Sequence, residues 1–298
     1  MPSFSSNRAA IAAQLVFVVA LAIFAASASS PSSAQDMSKS QSTDKRTILI
    51  TGANRGIGLE FAKQYHAAGW NVIATAREPD QAKDLKALGE SVRIVPLDVA
   101  SAQSVAALAK SLEKQPIDLL INNAGVTGNG RKLEDIKMDD FEKTIQVNAL
   151  GPVRVTQALL PNLRVGKGKM IVSISSGLGS IAENKGGGFY GYRESKAALD
   201  MFMRSIAAEL KGDGFICIAM NPGWVKTDMG GPNAQLTPEQ SITGHAKGDR
   251  WPEARRHRKI LEPRRHKHAL VNTELEPRMN TDRSQSLEFN GQTLIPDL

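Results

Sequence analysis

The sequence predicts an α/β fold built on a doubly wound parallel sheet. Short apolar segments alternate with amphipathic segments of helical period from residue 46 onward, which indicates right-handed β–α–β crossovers. A glycine-rich turn, "TGANRGIG" at residues 51–58, joins the first apolar segment to the first helix. At 298 residues the chain has room for one such domain with appendages.

The strands and helices follow one another in regular order. The predicted strands are "RTILIT", "WNVIATAR", "SVRIVPLDV", "IDLLINNAG", "GKMIVSISS" and "FICIAMNPG". The helices lie in "IGLEFAKQYHAAG", in the stretch before the third strand, in "SAQSVAALAKSLEK", across "DDFEKTIQVNALGPVRVTQALLPNLR", and in "YRESKAALDMFMRSIAAELKG". This order is typical of the Rossmann arrangement, here predicted as a single domain over 46–244.

The N-terminus has the features of an export signal. Arg8 precedes an apolar run at 11–26, and small residues at 26–28 and 32–34 offer cleavage sites. We therefore predict a signal peptide over 1–34 and a flexible polar leader over 35–45, which makes the protein periplasmic or secreted. The run is short for a membrane span, but an uncleaved signal would leave the protein anchored in the membrane.

The net charge of +7 is concentrated near the C-terminus. Residues 245–268 contain nine Lys/Arg and three Asp/Glu, so the rest of the chain is nearly neutral. This segment has a single aromatic residue, Trp251, and no recognised binding motif. It therefore lacks a set of aromatics interleaved with its basic residues, which argues against a nucleic-acid-binding protein. The single cysteine, Cys217, excludes a disulfide framework and a cysteine metal site. We expect it in the core, and no metal site is predicted.

The glycine-rich turn predicts a phosphate-binding site. Gly52 permits a tight turn, and Gly56 and Gly58 permit the backbone to approach a pyrophosphate at a helix N-terminus. Because the spacing is G-x-x-x-G-x-G and the motif is short, a purely structural turn is the alternative.

The end of the second strand indicates which dinucleotide would bind. NAD sites place an acid there for the ribose hydroxyls, but this strand ends in Arg77, and the first acid after it is Glu78. Arg55 and Arg77 would suit a 2′-phosphate, although either arginine would also be ordinary on a solvated surface. The pattern favours NADP(H).

"YGYRESK" (190–196) carries the candidate acid–base group. Tyr192 and Lys196 are four residues apart and share one helix face. A nearby ammonium stabilises a phenolate and lowers the phenol pKa, so that proton exchange with a carbonyl oxygen becomes feasible. Tyr190 has no lysine four residues later, which predicts a wall or packing role.

The motifs together are far more specific than any one of them. Their order is the glycine-rich turn, Asp98, "NNAG" (122–125), Asn148, "SSGLG" (175–179), Y-x-x-x-K and "NPG" (221–223). This order resembles the short-chain dehydrogenase/reductase family over 46–244. "TGANRGIGLE", "SSGLGSI", "GYRESKAAL" and "PGWVKTDMGGPNA" are most similar to the sniffer-type carbonyl reductases and C-factor-like proteins.

The resemblance implies reduction of a small-molecule carbonyl by NADP(H), or oxidation of the alcohol. Tyr192 would be the general acid, Lys196 would lower its pKa and hold the nicotinamide ribose, and Ser176 would bind the carbonyl. Asn148 would hold a helix kink and a water of the proton relay.

The resemblance also implies the cofactor-binding residues. Asp98 and Val99 would contact the adenine, the "NNAG" turn the adenosine ribose, and the segment after "NP" the nicotinamide. Beside Tyr192 and Lys196, the implied set is Gly52, Asn54, Arg55, Gly56, Ile57, Gly58, Arg77, Asp98, Val99, Asn123, Ala124, Gly125, Pro222, Gly223, Val225 and Thr227.

Two other functions stay open. C-factor-like relatives suggest a non-catalytic dinucleotide-binding signalling protein, but a pure sensor would not need Tyr192. The second is an inactive product of a frameshifted gene. A homo-oligomer is compatible with the sequence, and a membrane partner is expected only if the signal is uncleaved.

The frameshift hypothesis concerns residues 245–298. Relatives continue after "GGPNA" with a helix and a last strand ending in "PW", and nothing similar follows here. Read one base later with free codon choice, 244–272 can spell such an ending followed by a stop codon. We predict an aberrant, disordered basic tail and a sheet without its last strand. "FNGQTLIP" (289–296) keeps an insertion with restored frame as the alternative.

Overall fold

The computed structural model describes residues 45–243. Its strands are β1 (Thr47–Ile50), β2 (Asn71–Ala76), β3 (Val92–Pro96), β4 (Leu119–Asn122), β5 (Met170–Ile174) and β6 (Ile216–Met220). Its helices are α1 (Gly56–Ala67), α2 (Lys83–Lys86), α3 (Ala102–Ser111), α4 (Met138–Ile145), α5 (Gly151–Val165), α6 (Tyr192–Glu209) and α7 (Pro238–Ile242). The predictions for the signal, the leader and the 245–298 tail fall outside this range.

The six strands form one parallel sheet in the order β3-β2-β1-β4-β5-β6. The chain winds outward from β1 in one direction and then from β4 in the other, which confirms the predicted doubly wound α/β fold. Ligands of such sheets bind beyond the carboxyl ends of the strands, where the winding reverses. That point lies between β1 and β4. A strand beyond β6 would belong to residues outside the described range.

The alternation of side chains along the strands divides the core into two layers. Ile48, Ile50 and Ile121 point to one face and pack with Phe61 of α1. Neighbouring residues of the same strands point to the other face, where α3, α5 and α6 cover them. Because both faces are covered, β1, β4 and β5 are buried at every position.

Strand β6, at one edge of the sheet within residues 45–243, is less covered than the central strands β1, β4 and β5. Cys217 is half-buried there, less than the sequence suggested, and packs against the second core layer. Burial raises the pKa of its thiol to about 12. The thiol is therefore protonated at neutral pH and has little nucleophilic character.

Residues 45–243 contain neither a membrane-spanning helix nor a cluster of metal-ligating side chains. No helix in this part of the chain is long and apolar enough to cross a membrane. Nor does this part contain a group of three His, Cys, Asp or Glu side chains that could hold a metal ion.

Candidate active site

A cavity of about 1420 Å³ opens at the carboxyl ends of the strands. Of the predicted site residues, it is lined by Gly52, Arg55, Gly56, Ile57, Arg77, Asp98, Val99, Asn123, Ala124, Gly125, Ser176, Tyr192, Lys196, Pro222, Gly223, Val225 and Thr227. The fold therefore brings together residues from all parts of the described chain. Three predicted residues, Asn54, Gly58 and Asn148, are not among those that line the cavity.

Two of the three glycines in the turn adopt conformations that favour glycine. Gly52 has φ +63° and Gly56 has φ +56°, both in the left-handed region. A Cβ atom on Gly52 would lie 2.9 Å from the Cα atom of Ala124. No side chain caps the N-terminus of α1, so its first N–H groups can bind an anion.

Gly58 is required for close packing within the turn. A Cβ atom there would collide with the Gly52 carbonyl and the Asn123 amide. Gly58 thus allows α1 to pack closely against the turn, and its part in phosphate binding stays a prediction. Asn54 is exposed on the turn.

The "NNAG" turn supports the glycine-rich turn. Asn123 Nδ2 donates to the carbonyls of Thr51 and Gly52 at 3.0 and 2.9 Å. In return, Thr51 Oγ1 accepts from the N–H groups of Asn123 and Ala124 at 2.9 and 3.0 Å. These four bonds tie the ends of β1 and β4 together, so the two turns form one rigid wall.

Two cations, Arg55 and Arg77, line the part of the cavity beyond β1 and β2. Arg55 forms an ion pair with Asp228 at 3.2 Å, and both side chains are mostly exposed. Exposed pairs contribute little free energy, so an anionic ligand can replace Asp228 as the partner of Arg55. The pair also joins the glycine-rich turn to the loop after β6.

The predicted acid–base group lies at the N-terminus of α6. Lys196 Nζ donates to the Ile174 carbonyl at 2.7 Å and lies 5.6 Å from the centroid of the Tyr192 ring. Ser176 Oγ accepts from the N–H of Leu178 at 3.2 Å, which fixes this hydroxyl at the end of β5. Tyr192, Lys196 and Ser176 therefore face one point of the cavity.

Burial raises the pKa of the Tyr192 phenol, while the nearby Ser176 hydroxyl acts in the opposite direction. The sequence led us to expect a lowered pKa, but desolvation of the phenolate dominates here. A raised pKa keeps the phenol protonated at neutral pH. Tyr192 is thus able to donate a proton.

Lys196 is almost fully buried, which lowers the pKa of its ammonium to about 8. The negative charge of Asp200, one helical turn later, opposes this decrease.

Burial raises the pKa of Asp200 itself, and its Oδ1 atom accepts no hydrogen bond within residues 45–243. The nearby Ser175 hydroxyl partly opposes this increase in the Asp200 pKa, although the two side chains form no hydrogen bond. Sequence reasoning missed Asp200, although its i+4 spacing from Lys196 was a readable signal.

We expect Asp200→Asn to shift the alkaline limb of catalysis to lower pH. With the carboxylate gone, only burial acts on Lys196, its pKa falls below about 8, and its charge is lost earlier as pH rises. The rate at pH 8 should fall about threefold, with little change at pH 6. A pH–rate profile measures this, and Glu194→Gln, an exposed acid on the same helix, is the control. An unchanged alkaline limb in Asp200→Asn would contradict the coupling.

Asn148 is buried in a π-helical turn, Gln146–Leu150, between α4 and α5. Its amide donates to the Val126 carbonyl at 2.8 Å and to Ser195 Oγ at 3.0 Å, and its Oδ1 accepts from the Val126 N–H at 2.8 Å. Ser195 Oγ then donates to the Tyr192 carbonyl at 2.7 Å. These bonds link the β4 turn to the start of α6, and Ser195 was missed by the sequence reasoning. The water of the relay stays a prediction.

The loop after β6 also lines the cavity, and most of its residues were not predicted. Val225 and Leu236 form a parallel bridge, and Trp224 Nε1 donates to the Gly230 carbonyl at 2.8 Å. Helix α7 follows with a capping box, in which Thr237 and Gln240 bond each other's N–H groups. The signal "TPEQ" was readable in the sequence.

Similarity to known proteins agrees with this geometry. The family described as short chain dehydrogenase matches residues 46–236. C-signal of Myxococcus xanthus is 47% identical over 138 residues, which make up 46% of this chain and 83% of that protein.

Two solved structures have the same fold. A short-chain dehydrogenase/reductase of Burkholderia multivorans with bound NADP is 38% identical, with a TM-score of 0.63 over 67% of this chain and 89% of that one. The carbonyl reductase Sniffer of D. melanogaster is 32% identical, with a TM-score of 0.62 over 66% and 88% of the two chains. The predicted resemblance is confirmed, and the chain belongs to the short-chain dehydrogenase family.

Proposed function

We propose that the protein is an NADP(H)-dependent oxidoreductase that reduces a carbonyl compound to an alcohol. The main support for this proposal is that Ser176, Tyr192 and Lys196 line the same cavity as the glycine-rich turn. The NADP bound to the Burkholderia multivorans protein and the carbonyl reductase activity named for Sniffer support it.

The residues present fit a dinucleotide with a 2′-phosphate. Gly52 and Gly56 line the cavity in left-handed conformations that keep this turn free of side chains, and the uncapped N-terminus of α1 suits a pyrophosphate. Arg55 and Arg77 would hold the 2′-phosphate, since guanidinium groups bind phosphate through two parallel hydrogen bonds. When bound, the nicotinamide supplies or accepts the hydride.

The chain's own residues would handle the proton. Ser176 and Tyr192 would both donate hydrogen bonds to the substrate oxygen, which positions the carbonyl and stabilises the developing negative charge. Tyr192 would then transfer its phenolic proton to that oxygen. The Lys196 ammonium would stabilise the phenolate that remains, and the Asn148–Ser195 bonds would hold α6 in register with the β4 turn.

We expect a preference for NADPH over NADH of at least about 100-fold in kcat/KM, because each charge-assisted bond to the 2′-phosphate contributes about 1.5–3 kcal/mol. Arg55→Ala combined with Arg77→Ala should remove most of this preference by raising the KM for NADPH alone. Initial rates with both cofactors measure it. Arg93→Ala is the control, because Arg93 is an exposed arginine outside the cavity. A preference of the wild-type protein for NADH would contradict the assignment of NADP(H) as the cofactor.

A second candidate is a dinucleotide-binding signalling protein without turnover, which the similarity to C-signal favours. Such a protein would need the glycine-rich turn and the arginines that bind the dinucleotide, but it would not need the protonated phenol of Tyr192. Binding of NADPH without consumption in the presence of many carbonyl compounds would select it. Export by residues 1–34 remains a separate proposal that rests on the sequence alone.

A further inference from the structure

The positive charge of the described domain is concentrated in the cavity. Residues 45–243 contain 24 Lys/Arg and 20 Asp/Glu, and eight of those cations line the cavity with only four of the acids. The other sixteen cations and sixteen acids balance. An excess of one sign inside a cleft attracts ligands of the opposite charge.

Five of these eight cations fall into two groups on different sides of the cavity. Arg55 and Arg77 follow β1 and β2, where the proposed cofactor phosphate would neutralise them. A second group lies on the side of β4 and β5, where Arg131, Lys143 and Arg193 are accompanied by a single acid, Glu183. None of these four side chains forms an ion pair within residues 45–243. The proposed cofactor phosphate would not neutralise this second group, since it would bind the first.

Arg131 and Lys143 form no side-chain hydrogen bond or ion pair within residues 45–243, and Arg131 is the one that lies against an aromatic ring. Its guanidinium carbon lies 3.9 Å from the centroid of the Phe189 ring, and its side chain makes no hydrogen bond to any described residue. Arg193, in contrast, donates from Nε and Nη1 to the carbonyls of Gly188 and Leu178 at 3.1 and 3.3 Å. Arg193 therefore holds the loop before α6, and Arg131 retains its donors for a ligand.

The backbone fixes Arg131 close to the reacting groups. Gly130 and Tyr190 form an antiparallel bridge, with the Tyr190 N–H donating to the Gly130 carbonyl at 2.9 Å. This bridge places Arg131 beside Phe189, three residues before Tyr192. Phe189 has φ +55°, a conformation that costs energy for a residue other than glycine. The surrounding contacts thus hold Phe189 in a strained conformation in which its ring packs against the Arg131 guanidinium.

A guanidinium held against an aromatic ring is well prepared to bind a carboxylate. The ring restricts the arginine side chain, so less conformational entropy is lost on binding. Its N–H groups lie in the plane of the guanidinium, which matches the two oxygens of a carboxylate.

We infer that the natural substrate carries a carboxylate at a distance from its carbonyl group, and that Arg131 is the specificity-determining residue that binds it. This inference rests on the proposed function. Arg131 would bind one end of the substrate, while Ser176 and Tyr192 bind the carbonyl at the other.

The test compares saturated ω-oxo carboxylates of several chain lengths with their methyl esters, using the full chain and NADPH. The saturated chain insulates the carbonyl, so the two ends act independently. We expect kcat/KM for the best acid to exceed that of its ester by about tenfold or more, with the ratio falling as salt is added. Arg131→Gln should bring the ratio close to one by lowering the value for the acid alone.

Lys132→Gln is the matched control. Lys132 is the next residue, lies outside the cavity and pairs with Glu134 at 3.7 Å. Its replacement removes the same charge and should leave the ratio unchanged. Equal kcat/KM values for the acids and their esters would overturn the inference while leaving the proposed function intact. An acid-to-ester ratio that is unchanged in Arg131→Gln would do the same.

A protein that reduces none of these compounds would count against the proposed function instead. In that case, calorimetric titration of the NADPH-saturated protein decides the inference. Binding of the acid and not the ester, lost in Arg131→Gln, would support it. Equal binding of both, or of neither, would overturn it.

Discussion

Tyr192→Phe is expected to lower kcat for carbonyl reduction by about 10²- to 10⁴-fold, the usual contribution of a positioned general acid. The substitution removes one oxygen atom, and with it the proton that the buried phenol keeps at neutral pH. Binding of NADPH should change little, because the glycine-rich turn and the arginines are untouched. Steady-state kinetics and a separate titration of NADPH distinguish the two effects.

Tyr190→Phe is the control for this experiment. Tyr190 lies two residues earlier in the chain but does not line the cavity, so its loss should leave kcat within a factor of about two. A Tyr192→Phe protein that keeps near-wild-type rates would refute the acid assignment. Unchanged thermal unfolding in both variants ensures that the comparison reports on chemistry.

The second large effect concerns the C-terminal region. We expect replacement of residues 245–298 by the ending read one base later to raise the yield of soluble, active reductase by more than about tenfold. Within residues 45–243, β6 is an edge strand, and its residues Cys217 and Ala219 are only half-buried. The predicted last strand would pair with this edge, and an unpaired edge promotes aggregation.

A scrambled ending of the same composition controls for length and charge. Equal yield and activity for the chain as written and for the shifted ending would contradict the frameshift hypothesis. Sequencing of the gene gives an independent answer, since codons at 244–271 that cannot encode the family ending one base later would exclude it.

Local sequence signals were sufficient to predict the sheet and most of the cavity. Apolar runs bounded by helices of period 3.6 located every strand from β1 to β6, and the family motifs located residues as distant as Gly52 and Thr227 in one cavity. These features depend on neighbours in the chain or on a recognised pattern. The boundaries of the short helices α2 and α7 were harder to predict from the sequence, because a helix of little more than one turn shows no clear periodicity.

Features that depend on tertiary contacts were missed. The roles of Asp200 and Ser195 follow from the packing of α6 against the Gly177–Gly179 turn after β5 and against the π-helical turn. The stacking of Arg131 on Phe189 requires the bridge between Gly130 and Tyr190, which no local pattern indicates. The pKa of Tyr192 illustrates the same limit. The sequence showed a nearby lysine, whereas the dominant effect is burial, which raises that pKa.

Transfer of a labelled hydride tests the central claim most directly. The protein is incubated with a carbonyl substrate and NADPH that carries deuterium at both C4 positions, and the alcohol is analysed by mass spectrometry. We predict one deuterium per molecule on the carbinol carbon, at a rate that falls with Tyr192→Phe. Tight binding of NADPH with no labelled alcohol from any carbonyl compound in a broad panel would contradict the claim and favour a dinucleotide-binding protein without turnover.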